Sequence, residues 1–306
     1  MPAASLRALL ARSIDYAGLF PPASLSLEPA LTNHAEYVRT GDAWMLGAFI
    51  LPIAQFGAAA STFDKFDDAH PISVSALGPK TNDADAFLTA VADAVQAARE
   101  LLKSHAGKAT VTQLEMPLPP NADGRLLASA REMLQSLPAF WEAPANAAER
   151  AIALLAEHNA SVPAGARPFG FKLRTGGVTA DAFPTSAQIA AALAASARHE
   201  VPIKFTAGLH HPVRQFHSSV ETKMHGFLNV LGAGVLAAEH GWDAAQPTRM
   251  LDDEDASGFR FEDDAFTWRE ARISTEQLNV RRELVTSLGS CSFDEPRDDL
   301  RALKLL

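Results

Sequence analysis

Two patterns of apolar and polar positions alternate along this chain. Short apolar runs fall at 13–20 (SIDYAGLF), 44–51 (WMLGAFIL), 71–78 (PISVSALG), 111–116 (VTQLEM), 138–143 (PAFWEA), 169–176 (FGFKLRTG) and 202–209 (PIKFTAGL). Their length and their β-branched and aromatic content read as strands. Between them, apolar residues recur three and four apart at 83–104, 125–136, 146–159, 186–199 and 223–240, most clearly in DADAFLTAVADAVQAARELL. That spacing predicts helices. Strand starts lie roughly 30 residues apart, the length of a βα unit. Proline closely follows six of the runs, as Pro21, Pro52, Pro79, Pro117, Pro144 and Pro212. Having no N–H to donate, it ends ladder pairing. Stops at the same end of successive strands predict parallel strands with one loop-rich face. The expected architecture is α/β, a (β/α)8 TIM-type barrel spanning 1–306 as one domain, with a doubly wound open sheet as the alternative. No GxGxxG follows the first strand, which weakens a dinucleotide-binding reading. After residue 241 the rhythm breaks. GFRFEDDAFTWREARIS predicts a β-hairpin, an elaboration inserted at about 248–272, and TEQLNVRREL a helix. The eighth strand is expected at 284–293 (VTSLGSCSF), before a closing helix in EPRDDLRALKLL, or else at 247–252.

Successive side chains of a strand point to opposite sides. In 169–176, Phe169, Phe171 and Leu173 share one side, and Gly170, Lys172, Arg174 and Gly176 the other. In 203–210, Ile203, Phe205, Ala207 and Leu209 oppose Lys204, Thr206, Gly208 and His210. Apolar sides should meet the surrounding helices, so the polar sides should face the barrel interior near its mouth. The same parity turns Gln113 and Glu115 inward, Glu142 away from Trp141, and Asp15 away from Ile14 and Tyr16. The predicted convergent set is Asp15, Glu115, Glu142, Lys172, Arg174, Lys204 and His210. Its bland explanation is structural, since an inward charge needs only a partner. Burying so many charges is nevertheless costly without a use for them. Several cations from adjacent strands favour a site for an anionic or carbonyl-bearing ligand.

The charge balance sharpens this. A formal net charge of −9 disfavours nucleic acid and anionic membrane surfaces as partners, because both need exposed basic surface. Inward lysines in such a chain are therefore more informative. No apolar run reaches the ~20 residues that span a bilayer, and the N-terminal stretch MPAASLRALLARS reads as a short helix. The single cysteine, Cys291, excludes an internal disulfide and a multi-Cys zinc site. It reads as a small buried residue, and a cytoplasmic location is expected.

KLRTGGVTADAFPTSAQI (172–189) resembles part of the deoxyribose-phosphate aldolases, class I aldolases on (β/α)8 barrels. That family carries K-x-x-T-G on strand six and a second lysine on strand seven. Lys172, Thr175 and Gly176 stand in that arrangement, and Pro184 and Ser186 open the next helix similarly. KFTAGL is similar to the strand-seven element with its glycine displaced, and SLGSCSF resembles the family's final Gly/Ser phosphate loop. LHHP, HGFLN and the 248–272 insertion are outside the family's pattern. The resemblance implies that Lys172 forms a Schiff base with a small anionic carbonyl compound, such as a sugar phosphate, for aldol or retro-aldol chemistry without a cofactor. Lys204 would favour the neutral amine at Lys172 by charge repulsion, with partial burial acting the same way. Glu115, Glu142 or Asp15 would shuttle protons. Arg174 and the amides around Gly289 and Ser290 would bind phosphate or carboxylate.

The histidines support a rival. His210 and His211 follow strand seven, and His217 lies in the next loop. His225 and Asn229, i and i+4, are expected on one face at the start of helix 223–240. Thr206, His211, His225 and Asn229 are substrate-binding candidates, and His210 is a candidate acid–base group. Alternatively His210, His211 and His225 with Glu142 or Glu115 would hold a divalent metal for lyase, isomerase or hydrolase chemistry, without HxH or HExxH spacing to support it. A third class is a non-catalytic barrel that binds a metabolite or a partner. FLNVLGAGVLAA, apolar nearly all round, fits a buried barrel helix or a homo-oligomer interface, and the acidic stretches LDDEDA and EDDAFTWRE a solvated face.

Overall fold

The computed structural model describes residues 1–163 and 165–306. Eight parallel strands close a barrel: β1 (Ile14–Tyr16), β2 (Leu46–Pro52), β3 (Ile72–Leu77), β4 (Ala109–Pro117), β5 (Ala139–Ala143), β6 (Gly170–Arg174), β7 (Ile203–Thr206) and β8 (Val285–Ser290). Each pairs with its neighbour in sequence, and β8 pairs with both β7 and β1. The eighth strand is thus within 284–293, whereas 247–252 lies in the helix Ala245–Asp252. Four of the prolines mark C-terminal ends, Pro52 and Pro117 as the last residues of β2 and β4 and Pro79 and Pro144 just past β3 and β5, whereas Pro21 and Pro212 lie well beyond the ends of β1 and β7.

The parity rule holds on the outer side. Leu114, Met116, Phe169, Phe171, Leu173, Ile203 and Phe205 are wholly buried in the layer between strands and helices. Helix starts follow local capping. Asp83 accepts from the amide of Ala86 at the head of Ala84–Ser104, and Thr185, rather than Ser186, forms a capping box with Gln188 at the head of Ser186–His199.

Two expected elements differ. The helix predicted at 223–240 begins only at Phe227, because Thr222–Met224 pairs with Gln215–His217 as an antiparallel ribbon. The expected hairpin is a three-stranded antiparallel sheet of Phe259–Phe261, Ala265–Trp268 and Ala271–Ser274, preceded by the helix Ala245–Asp252. REARIS supplies the third strand, Ala271 pairing with Trp268. The acidic stretch before it is partly structural. Asp253 accepts from Trp268 Nε1 at 2.9 Å and from Arg269 Nε at 2.9 Å. Phe227 through Ala237 are all buried within this one chain. No helix of the described residues is long and apolar enough to cross a membrane.

Candidate active site

Asp15, Glu115, Glu142, Lys172, Arg174 and Lys204 meet inside the barrel as a chain of alternating charges. Lys204 Nζ donates to Asp15 Oδ2 at 2.8 Å and, by a short bond, to Glu115 Oε1. Lys172 Nζ lies 2.9 Å from Glu115 Oε2 and 3.1 Å from Glu142 Oε2. Glu142 Oε1 in turn accepts from Arg174 Nε at 3.2 Å. Three acids and three bases balance, which is what makes their burial tolerable. The adjacency follows from register, because Lys172 is paired with both Glu142 and Lys204 across the ladder. Below them Phe140 plugs the barrel. Lys204 Nζ sits 5.6 Å from the centre of its ring, and Gly170 makes room for it, since a Cβ there would come within 2.4 Å of the ring.

Exposure rises along the chain of charges. The Lys204 and Glu115 side chains are dry, Lys172 is 4% exposed, Glu142 15% and Arg174 54%. Its inner end is heavily hydrogen-bonded. Asp15 accepts from the Ala48 amide at 2.7 Å and from Ser287 Oγ at 2.7 Å, and Glu115 also accepts from Ser75 Oγ and Gln113 Nε2. Burial pushes the Glu115 carboxyl up, but Lys172 and Lys204 outweigh it and hold the group well below the ordinary carboxylate range. Burial likewise disfavours charge on Lys204, yet Asp15 and Glu115 prevail and its amine is raised. This corrects the expectation that Lys204 acts on Lys172 as a bare cation. Glu115 stands between the two amines, and Asp15 neutralises the deeper one. Ser75 and Ser287 were missed. Alternation in PISVSALG turns Ser75 inward, but in VTSLGS the strand is irregular between Val285 and Leu288, so strict alternation does not place Ser287.

The other candidates are placed differently. His210 Nδ1 faces Glu295 Oε2 at 3.0 Å and Cys291 Sγ at 3.7 Å. Burial alone would lower this imidazole, but the Cys291 and Glu295 partners raise it to about 9. His211 Nδ1 lies 2.6 Å from Asp299 Oδ2 and stacks on His217. His225 precedes its helix and so does not share a helical face with Asn229. Its Nε2 meets the Pro184 carbonyl at 2.8 Å and its Nδ1 meets Arg214 at 3.1 Å. Burial lowers it. Asn229 is spent on structure, donating to the carbonyls of Met250 and Asp253 and accepting from the Arg214 amide. The metal set expected of His210, His211, His225 and Glu142 is therefore dispersed, and among the described residues no three His, Cys, Asp or Glu side chains group as ligands. Thr206 and Gly289 face one another across the β7–β8 ladder. Gly289 and Ser290 are strand residues paired with Asp15 and Tyr16, and the Ser290 carbonyl accepts from Ala17 at 2.7 Å. Both residues thus lie within β8 and not in a loop, which corrects the expected phosphate loop.

The loops after β6 and β7 pack on each other where Gly208, at φ +76°, brings its backbone against Gly176. A Cβ on either residue would come within 2.8 Å of the other's Cα. Thr175 Oγ1 donates to the Ala207 carbonyl at 2.6 Å and pins this turn. Glycine at 208 thus serves a close approach that the displaced glycine of KFTAGL did not explain from sequence.

A cavity of about 770 Å³ opens over the C-terminal ends of β4, β5 and β6. Glu142 and Arg174 form its inner wall, and Lys80, Arg150 and Asp181 add charge at its rim. The histidines do not line it.

No protein-family model matches the sequence, and neither does any curated protein. Among solved structures the chain is similar to the crystal structure of an amidohydrolase from Brucella melitensis, at 11% identity and a TM-score of 0.33, over 79% of this chain and 70% of that one.

Proposed function

We propose that the protein is a barrel enzyme that binds a small anionic carbonyl compound and acts on it through a Schiff base at Lys172, in aldol or retro-aldol chemistry. The observation that carries this reading is the position of Lys172. It is the outermost amine of the charge chain, next to Glu142 and Arg174, which line the cavity.

The nucleophile must be a neutral amine. Lys204 is hydrogen-bonded to two carboxylates and shut in, so it keeps its proton. Lys172 also lies between two carboxylates, but it is the less enclosed amine, and one of its partners, Glu142, is partly open to the cavity. Transfer of one proton from Lys172 to Glu142 leaves the total charge of the six groups unchanged. The free amine then adds to the carbonyl carbon. Glu142, now a carboxylic acid, returns the proton to the carbinolamine oxygen, which leaves as water. The iminium restores positive charge on Lys172 between Glu115 and Glu142. As an electron sink it lets the bond between the α and β carbons break or form. Arg174, half in solvent, orients the substrate's anionic group.

The test is borohydride reduction in the presence of pyruvate, glycolaldehyde or glyceraldehyde 3-phosphate, read by intact mass and peptide mapping. The expected result is a stable adduct on Lys172 that is absent from Lys172→Met. No adduct with any carbonyl, or one that persists in that variant, overturns the reading.

A further inference from the structure

The lining of the cavity says more about the ligand than its charge does. Five of the residues that enclose it are prolines, namely Pro117, Pro119, Pro120, Pro144 and Pro184. Proline has no N–H, so these five positions supply none of the backbone donors that grip a phosphate or a run of hydroxyls, and the neutral polar side chains of the lining are Asn121, Asn146 and Gln188. Much of the remaining wall is alanine, with Leu118, Leu154 and Phe183. Gly289 and Ser290, the other candidate phosphate cradle, are bound into the barrel ladder and lie outside the cavity. The cations at the cavity, Lys80, Arg150 and Arg174, exceed its carboxylates, Glu142 and Asp181, by one. Such a balance suits a monoanion. From Ala147 to Leu154 the wall follows one helix for about 10 Å, a reach that a three-carbon oxo acid leaves empty.

Resting on the Schiff-base reading for the reaction but not for binding, we propose that the ligand is an oxo carboxylate with an extended apolar tail. Its carboxylate and carbonyl lie at Arg174 and Glu142, and the tail lies along the proline–alanine wall towards Leu154. Each methylene buried there tightens binding about fourfold. A sugar phosphate would set hydroxyls against the proline and alanine side of the wall, where they lose hydrogen bonds to water.

The experiment has a binding arm and a trapping arm. In calorimetry, butanoate, hexanoate and octanoate lack a carbonyl and test the tail alone. Affinity should rise more than tenfold from butanoate to octanoate, and glycerol 3-phosphate should bind more weakly than octanoate. Leu154→Asp should weaken octanoate binding at least tenfold. In borohydride trapping, 2-oxooctanoate should saturate at a concentration at least tenfold lower than pyruvate. Adducts that form without regard to tail length overturn the tail while leaving the Schiff base standing. Octanoate binding without any adduct overturns the Schiff base and supports the tail. Glycerol 3-phosphate binding as tightly as octanoate, or unchanged octanoate binding in a folded Leu154→Asp protein, also overturns the inference. The chain-length series on the wild type needs no variant to fold.

Discussion

Glu115 is the residue on which the interior depends. It is dry, it carries one lysine on each carboxylate oxygen, and its two partners come from strands that lie on the far side of β5. Replacing it by Gln keeps the shape and removes the charge, leaving two ammonium groups to share what Asp15 and Glu142 offer. Removing one partner of a buried pair costs about 3–5 kcal/mol. Glu115→Gln should therefore lose about that much in denaturant unfolding, and a loss under ~1 kcal/mol would mean the charge chain does not hold the barrel together. The expectation was half right at this scale. That Glu115, Lys172 and Lys204 point inward follows from alternation along each strand. That Glu115 would separate the two lysines does not, because it depends on how far β4 is shifted against β6 and β7.

At the scale of elements, the helix Phe227–His240 shows what its pattern could and could not say. Its nearly continuous apolar run predicts burial, and it is buried. Its glycines have unequal reasons. A Cβ at Gly234 would come within 2.9 Å and 3.0 Å of the two methyls of Val285 on β8, a β-branched side chain with little freedom to move. At Gly232 the nearest atom is the flexible Met250 terminus at 2.5 Å, with the Phe266 ring behind it at 3.0 Å. Alanine gains about 1 kcal/mol of helix propensity over glycine. In thermal melts Gly234→Ala should be destabilised, the clash of about 1–3 kcal/mol outweighing that gain. Gly232→Ala should stay close to wild type, and the reverse order would show that the helix does not seat on β8 as described. The start of this helix was misplaced because TKM pairs with QFH seven residues earlier, a partnership that helical periodicity does not reveal. The third strand of the small sheet escaped for a similar reason, as the turn at Arg269 and Glu270 breaks the alternation.

For the whole molecule, two buried histidines set opposite flanks of the stability profile. His34 sits among Tyr16, Phe49 and Phe66, its Nδ1 without a hydrogen bond among the described residues, and burial lowers it to about 3. The unfolded chain binds a proton near pH 6.5 that the folded one refuses, so stability falls on acidification from there towards pH 3. The loss is roughly 1–2 kcal/mol between pH 6.5 and 5. His210 is raised to about 9, so the stability it lends is complete below about pH 6.5 and disappears as pH rises through 9. Denaturant midpoints followed from pH 4 to 10 should show both limbs. His34→Phe should flatten only the acid limb and His210→Gln only the alkaline one. A profile unchanged in both variants would remove the two groups as its cause.

What the chain's own order determined is everything that depends on near neighbours. Alternation within strands chose which side chains face inward on most strands, prolines marked four of the strand ends, and the repeat of strand and helix made a closed parallel barrel the economical way to bury the apolar sides. Tertiary structure alone decided which inward charges meet. Closure through β8 brings Asp15, near the start of the chain, against Lys204, and strand shift puts Glu115 between the lysines. It also sent the histidines to other partners and built the proline- and alanine-rich side of the cavity from loops and a helix that carry no motif. Alternation is a property of one strand and survives reading in isolation. Pairing is a property of the relative shift of strands far apart in the chain, fixed by packing over the whole barrel.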